Sequence, residues 1–203
     1  MRRVLLICLS LVLALVGWSA VGAEDSFYVI PAMRGKYAPV TKTGQTQFFA
    51  TGDDGDLKKG AASPTPRFTI NLLFDTGVNT VTDNLTGLIW MRNANAFGPR
   101  TWEQALSDAN GLKSGDHGVN DGSKAGDWRL PNRKELESLL DCGSNAPALP
   151  ALHPFTGVQS SPYWSSTTVV NSTSAWNVNF NLGGVYISDK STTFLVWCVR
   201  GGP

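Results

Sequence analysis

Several groups of side chains in this 203-residue chain are of types that do chemistry, and spacing decides what each can do. Ser165, Ser166 and Thr167 follow Trp164, with His153 upstream. A hydrolytic serine needs an adjacent base, an orienting acid and a strained turn such as G-x-S-x-G, and none is indicated. His117 and His153 are the only histidines, and neither their separation nor a nearby thiol pair suits zinc. Asp53, Asp54 and Asp56 invite comparison with a calcium loop, but the EF-hand register of alternating acids, central glycine and terminal glutamate is missing. They read as a polar turn. Cys142 and Cys198 have no C-x-x-C spacing and no neighbouring histidine, which disfavours a redox or metal pair. No catalytic residue, metal ligand or cofactor is therefore expected.

What remains is recognition by hydrogen bonds. In "SAWNVNFNLGGVYISDK", residues 174–190, Trp176, Val178, Phe180 and Leu182 alternate with Asn177, Asn179 and Asn181. Period-two alternation puts the apolar set on one face of a strand and the amides on the other. Gly183-Gly184 makes the turn, and Val185 and Ile187 return inward. Asn177, Asn179, Asn181, Tyr186, Ser188 and Lys190 would then share one polar surface, whose amide, hydroxyl and aromatic groups suit adaptable binding. Arg133 and Lys134 would add cations toward an anionic ligand.

The elements that must position these residues can be read from their punctuation. Thr101 with Gln104 forms a capping box ahead of the stripe Trp102, Ala105, Leu106, Ala109 and Leu112, which predicts a packing helix. Asn132 with Glu135 repeats the pattern ahead of Leu136, Leu139 and Leu140, predicting a short helix that ends near Asp141. "NTVTDNLTGLIWM", residues 79–91, reads as a β-hairpin, and "TFLVWCVR", residues 193–200, as a continuous apolar strand central in a sheet. Residues 24–78 form a Gly-, Pro- and Thr-rich lead-in, where Pro64 and Pro66 disfavour helix. No long-period repeat recurs.

At the N-terminus, Arg2 and Arg3 precede an apolar run over 4–17, and Val21-Gly22-Ala23 offers small residues for cleavage. This predicts a secretory signal over 1–23, too short in its apolar part to remain as a span. The expected location is secreted or periplasmic, extending to the cell surface, with no membrane span after cleavage. Charges nearly balance, with 17 basic and 16 acidic residues overall, so no strong field draws the chain to nucleic acid. With the signal removed, Cys142 and Cys198 are the only cysteines, and an even count in an oxidising compartment predicts one disulfide.

The segments "DNLTGLIW", "TWEQAL", "DWRLPNRKELESL", "HPFTGVQSSPYWSST", "SAWNVNF" and "VWCVRGG" stand in an order that resembles the bacterial Lcl C-terminal domain family, named after the Legionella collagen-like protein. The likeness covers about residues 79–202, which implies a domain over 79–203, and is carried most specifically by "GDWRLP…EL" with "YWSST". The lead-in "KTGQTQFFATGDDGDLKKG…PRF" is similar to an extension found in that family. The resemblance implies an α+β, C-type-lectin-like fold, with two helices packed on a small, twisted, mostly antiparallel sheet and long loops. It also implies scaffold roles for Trp128, Arg129, Trp164 and Trp176, with Asp127 or Glu135 holding the Arg129 guanidinium. Some such relatives bind sulfated glycosaminoglycans and others display variable ligand-binding surfaces. The resemblance thus implies a non-catalytic module for an extracellular glycan, sulfated or not, or a protein. Its alternatives are a display domain diversified by a retroelement over 160–200 and, through a second relative of the fold, a formylglycine-generating type of cysteine oxidase. The sugar-binding calcium triplets of C-type lectins, Glu-Pro-Asn or Gln-Pro-Asp with Trp-Asn-Asp, are absent from the sequence.

Overall fold

The two capping boxes do form, and they fix where the helices begin. A computed structural model describes residues 40–71 and 79–201. Within it, α1 is a single turn, Asp54–Leu57, capped by Asp53, whose carboxylate accepts from the Asp56 N–H. The second helix, α2, spans Trp102–Gly111, and α3 spans Arg133–Ser138. At α2 the Thr101 hydroxyl accepts from Gln104 N, while the Gln104 side chain accepts from Thr101 N at 3.1 Å. At α3 Asn132 accepts from Glu135 N at 2.9 Å and Glu135 accepts from Asn132 N at 2.7 Å. Each box satisfies two backbone donors that a helix start otherwise leaves unpaired.

Strands fall into two antiparallel sheets, which with the helices make an α+β architecture. One is ordered β1-β2-β3-β7, with β1 Phe68–Asn71, β2 Thr80–Asp83, β3 Ile89–Met91 and β7 Val199–Arg200. The β2–β3 pair is the hairpin expected over 79–91, with Thr80 opposite Met91 and Val81 opposite Trp90. The other sheet is β4-β5-β6, with β4 Pro162–Thr168, β5 Ser174–Asn179 and β6 Gly184–Asp189. Between the sheets Trp197 is ringed by Trp90, Phe155, Tyr163 and Phe180 at centroid distances of 4.8–5.6 Å, mostly edge-on or tilted. Its indole N–H donates to Met91 O, so the one polar atom of the ring is satisfied in the dry interior.

The 193–200 segment is not one central strand. Only Val199–Arg200 joins a sheet, at its edge beside β3, while Leu195 bridges to Tyr163 of β4 and Phe194 to Arg100. The segment is apolar on both sides because it threads from one sheet to the other, covered by each in turn. Leu195 through Val199 are all buried.

The expected Cys142–Cys198 disulfide is absent, and both thiols are free. Cys198 is buried among the core residues, whereas Cys142 is exposed beyond α3, where its N–H donates to Thr43 O. An even count measured only the number of thiols; the direction of each side chain comes from the packing. Burial pushes the Cys198 thiol far above its ordinary range, which keeps it protonated and unreactive.

The lead-in contributes to the folded structure rather than trailing from it. It supplies β1, and Arg67 forks onto Asp83 of β2 at 2.8 and 3.0 Å while donating to Ser138 O of α3 at 2.7 Å. The expected signal segment, together with residues 24–39, lies outside the described residues. Among the described residues no helix is long and apolar enough to cross a membrane.

Candidate functional site

The hairpin β5–β6 carries most of the residues expected to bind ligand, and its register assigns their faces. Trp176 stands opposite Ile187 and Val178 opposite Val185, while Asn177 stands opposite Tyr186, Ala175 opposite Ser188 and Asn179 opposite Gly184. On the far side of β5, Trp164 of β4 faces Asn177 and Pro162 faces Asn179. Asn177, Asn179, Tyr186 and Ser188 thus share one face of the sheet, together with Trp164 and Pro162.

The burial of that face differs from the expected exposed amide row. Asn177 is only 1% exposed, and its amide donates to Ser188 Oγ at 3.0 Å. It lies beside fully buried Trp164, whose ring packs on Phe194 at 4.7 Å and whose indole N–H donates to Arg100 O. The Arg100–Phe194 bridge and α2 cover this part of the sheet, so Asn177 is a satisfied interior amide. Conversely, Leu182 and Ile187, expected to point inward, are 74% and 51% exposed. The reason is coverage: α3 packs chiefly on β4 and β5, and β6 is the edge strand of its sheet.

Lys190 lies past the end of β6, and its ammonium sits 4.3 Å from the centroid of the Trp102 ring. Asn181 is in the exposed turn between β5 and β6, where its N–H donates to Asn179 Oδ1 at 2.8 Å. At the open end of the face, Tyr186 is 56% exposed and lies across Gly184: a Cβ at 184 would sit 2.5 Å from the tyrosine oxygen and 2.6 Å from Cε2. Pro162, Asn179 and Gly184 form a row across three strands, and neighbouring strands lie about 4.8 Å apart, so the row spans about 10 Å. Pro162 also lines a depression of about 340 Å³ shared with Asn95, Pro99, Gln159, Thr193 and Phe194.

Arg133 and Lys134 belong elsewhere. Arg133 stacks on Trp176 at 4.6 Å, on the opposite face of β5 from Asn177 and Tyr186, and pairs with Glu137 at 2.9 Å. Lys134 is largely exposed and reaches the same carboxylate at 3.8 Å. One acid shared by two cations leaves a single net positive charge at this spot, away from the amides.

Trp128 is fully buried, donates from its indole N–H to Ser123 Oγ at 2.9 Å, and carries the Arg200 guanidinium over its ring. Arg129 forks onto Glu135 at 2.7 Å through both Nη atoms and donates to Gly201 O at 3.0 Å. Asp127 instead accepts from Lys124 N, capping the local turn. The Glu135 hydrogen bonds raise the Arg129 pKa further, and the same carboxylate closes the α3 capping box, so one acid orders both the loop and the helix.

Groups that sequence reading left out are Gly184 as the seat of the Tyr186 ring, and Pro162, Asn95, Gln159 and Thr193 beside it. Gly184 was legible only as a turn residue, and the others come from three separate segments, so nothing short-range links them. Among the described residues no three of His, Cys, Asp and Glu converge as a metal site.

The matched signature segments lie on these same elements: "GDWRLP…EL" runs into α3, and "YWSST" is β4. The profile of the Lcl C-terminal domain matches residues 79–200. The chain belongs to the Lcl C-terminal domain family. No curated protein matches the chain. The Lcl match begins at the residue before β2, so β1 and Arg67, which complete the first sheet, come from residues ahead of it.

Proposed function

We propose that the chain is a non-catalytic binding module of C-type-lectin-like fold, exported from the cytoplasm, that presents the open end of the β4-β5-β6 face to a glycan or protein. The observation that carries this reading is the Tyr186 end of the hairpin. A half-exposed aromatic ring sits there beside amides on a hydrogen-bonded sheet, uncovered by the described residues. Flat aromatic surface flanked by a few hydrogen-bonding groups, on elements that do not rearrange, is what low-cost recognition requires. The oxidase alternative needs two cysteines in one accessible site, and here one thiol is buried and the other is exposed.

The test is a glycan array probed with purified residues 24–203, at low and at raised ionic strength. Retention of one glycan class supports the reading. A sulfated ligand held through Arg133 and Lys134 loses affinity as salt rises, because exposed charges are screened. Absence of binding to every glycan, together with no protein partner recovered by crosslinking at the Tyr186 face, removes the proposal.

A further inference from the structure

The open end of the β4-β5-β6 face has a chemistry more definite than a general polar surface. Gly184 and Tyr186 are two apart on β6 and so point to the same side. With no Cβ at 184, the tyrosine ring folds along the strand and lies against the backbone, leaving one ring face outward. Any side chain at 184 would lift it. Gly184 itself has an ordinary backbone conformation, since it is not among the glycines with positive φ, so the glycine is there for the close approach and not for the turn.

The groups around the ring are uncharged and in part unpaired. Asn179, directly opposite Gly184, accepts the Asn181 N–H on its Oδ1, and its amide donors have no partner among the described residues. The Tyr186 hydroxyl and the Asn181 side chain likewise have no partner among the described residues. Two strands across, beyond Pro162, the neighbouring depression adds Asn95, Gln159 and Thr193 around the apolar floor of Pro99 and Phe194. Two cations on neighbouring segments are already engaged: Arg100 pairs with Asp108 at 2.6 Å, and Lys190 lies on Trp102 past the other end of β6.

From this arrangement, and resting on the binding-module reading above, we propose that the Tyr186–Gly184 shelf and the adjoining Pro162 depression bind a neutral pyranose glycan. One ring stacks its C–H face on Tyr186 and the next lies toward the depression, with Asn179 hydrogen-bonding hydroxyls between them. A sugar ring is an apolar C–H face edged by hydroxyls. It matches an aromatic face edged by amides, and an absence of fixed charge means that sulfate or carboxylate substituents have no counter-ion to meet. The row of about 10 Å from Pro162 to Gly184 accommodates two linked rings.

The experiment titrates maltose, cellobiose, lactose and chitobiose, with heparin as the charged comparator, into the ¹⁵N-labelled chain lacking residues 1–23. Backbone amides and the Asn179 side-chain amide are followed. The proposal expects at least one neutral disaccharide to shift Gly184, Tyr186 and Asn179 with little change between low and high salt. Tyr186→Ala weakens that binding by about tenfold or more, and Tyr186→Phe retains most of it. Gly184→Ala weakens it although the tyrosine is still present, which a merely structural glycine in an otherwise unchanged spectrum would not do. Neutral binding that is indifferent to both Tyr186→Ala and Gly184→Ala overturns the shelf while leaving the binding-module reading intact. The shelf is equally overturned, and the module again retained, if heparin alone binds and its shifts map to Arg133 and Lys134. If no disaccharide binds, and the array finds no glycan and crosslinking no protein partner, both readings fall.

Discussion

Replacing Asp83 by Ala tests whether the lead-in and the family domain fold as one unit. The Asp83 carboxylate is fully buried and accepts from Arg67 Nε at 2.8 Å, Arg67 Nη2 at 3.0 Å, Leu85 N at 3.0 Å and Thr86 Oγ1 at 3.1 Å. Its Arg67 partner has a side chain only 13% exposed and sits over Phe68. Removing one member of such a pair leaves the other charge without its counter-ion, which costs about 3–5 kcal/mol. Two lost turn hydrogen bonds contribute in the same direction, at about 1 kcal/mol each. Urea unfolding of chains of this size has a slope of roughly 2 kcal/mol per molar, so the midpoint should fall by about 2.5–3.5 M at unchanged slope. Arg67→Met should destabilise to a comparable degree, because it strands the fully buried Asp83 carboxylate, although the hydrogen bonds from Leu85 N and Thr86 Oγ1 and the apolar contact with Phe68 remain. The double variant should recover part of the sum, since the two residues interact directly. A midpoint shift under about 0.3 M for Asp83→Ala, or strict additivity in the double variant, would refute the argument. Either result would mean that β1 and Arg67 are attached to the domain without stabilising it.

In the native state Cys142 should take up one equivalent of an alkylating reagent while Cys198 stays unmodified until the chain is unfolded; mass spectrometry of tryptic fragments reads this directly, and a Cys142–Cys198 crosslink would contradict it. Asn132→Ala should lower stability by about 1 kcal/mol through loss of the α3 cap, whereas Asn132→Asp should be nearly neutral, as followed by thermal unfolding. His153 is held below the ordinary imidazole range, chiefly by burial, and its buried Nδ1 has no hydrogen-bond partner among the described residues. With the folded pKa depressed, the unfolded chain takes up the proton first as pH falls. This residue's contribution to stability is therefore complete above the unfolded pKa of about 6.5 and shrinks below it. The unfolding midpoint should drop between pH 7 and pH 5, and His153→Gln should flatten that slope; an unchanged slope would mean that the imidazole takes up its proton as readily in the fold as in the unfolded chain.

Local signals carried the helices into the sequence reading because each is decided within four residues. Thr101 with Gln104 and Asn132 with Glu135 satisfy their own helix starts, and no distant residue is needed. The β2–β3 hairpin was legible for the same reason, its turn being closed by the Asp83 side chain over the next three residues. Facing was not legible, because the sense of an alternation depends on what covers each side. In β5 the pattern Trp176, Asn177, Val178, Asn179 marks two faces, but which is interior is set by Phe194 and Arg100 on one side and α3 on the other. Those covers come from segments remote in sequence, and they bury Asn177 while leaving Ile187 out. The cysteines failed for the same reason: pairing is a matter of direction, and direction comes from packing.

This dependence on remote cover also explains why the shelf is a better site than the amide row that the alternation offered. A surface made only of alternating residues on one hairpin is flat, and its amides can satisfy one another, as Asn177 and Ser188 do. A site with a floor needs walls from elsewhere. Here Pro162 of β4, the 95–99 loop and the 193–194 segment supply them, beside a ring seated on a glycine. Changing Thr193 or Gln159 should therefore alter which sugar is preferred while leaving stacking on Tyr186 in place, whereas changing Gly184 should weaken every sugar alike. That separation of selectivity from affinity is what distinguishes a built shelf from an ordinary solvated sheet face.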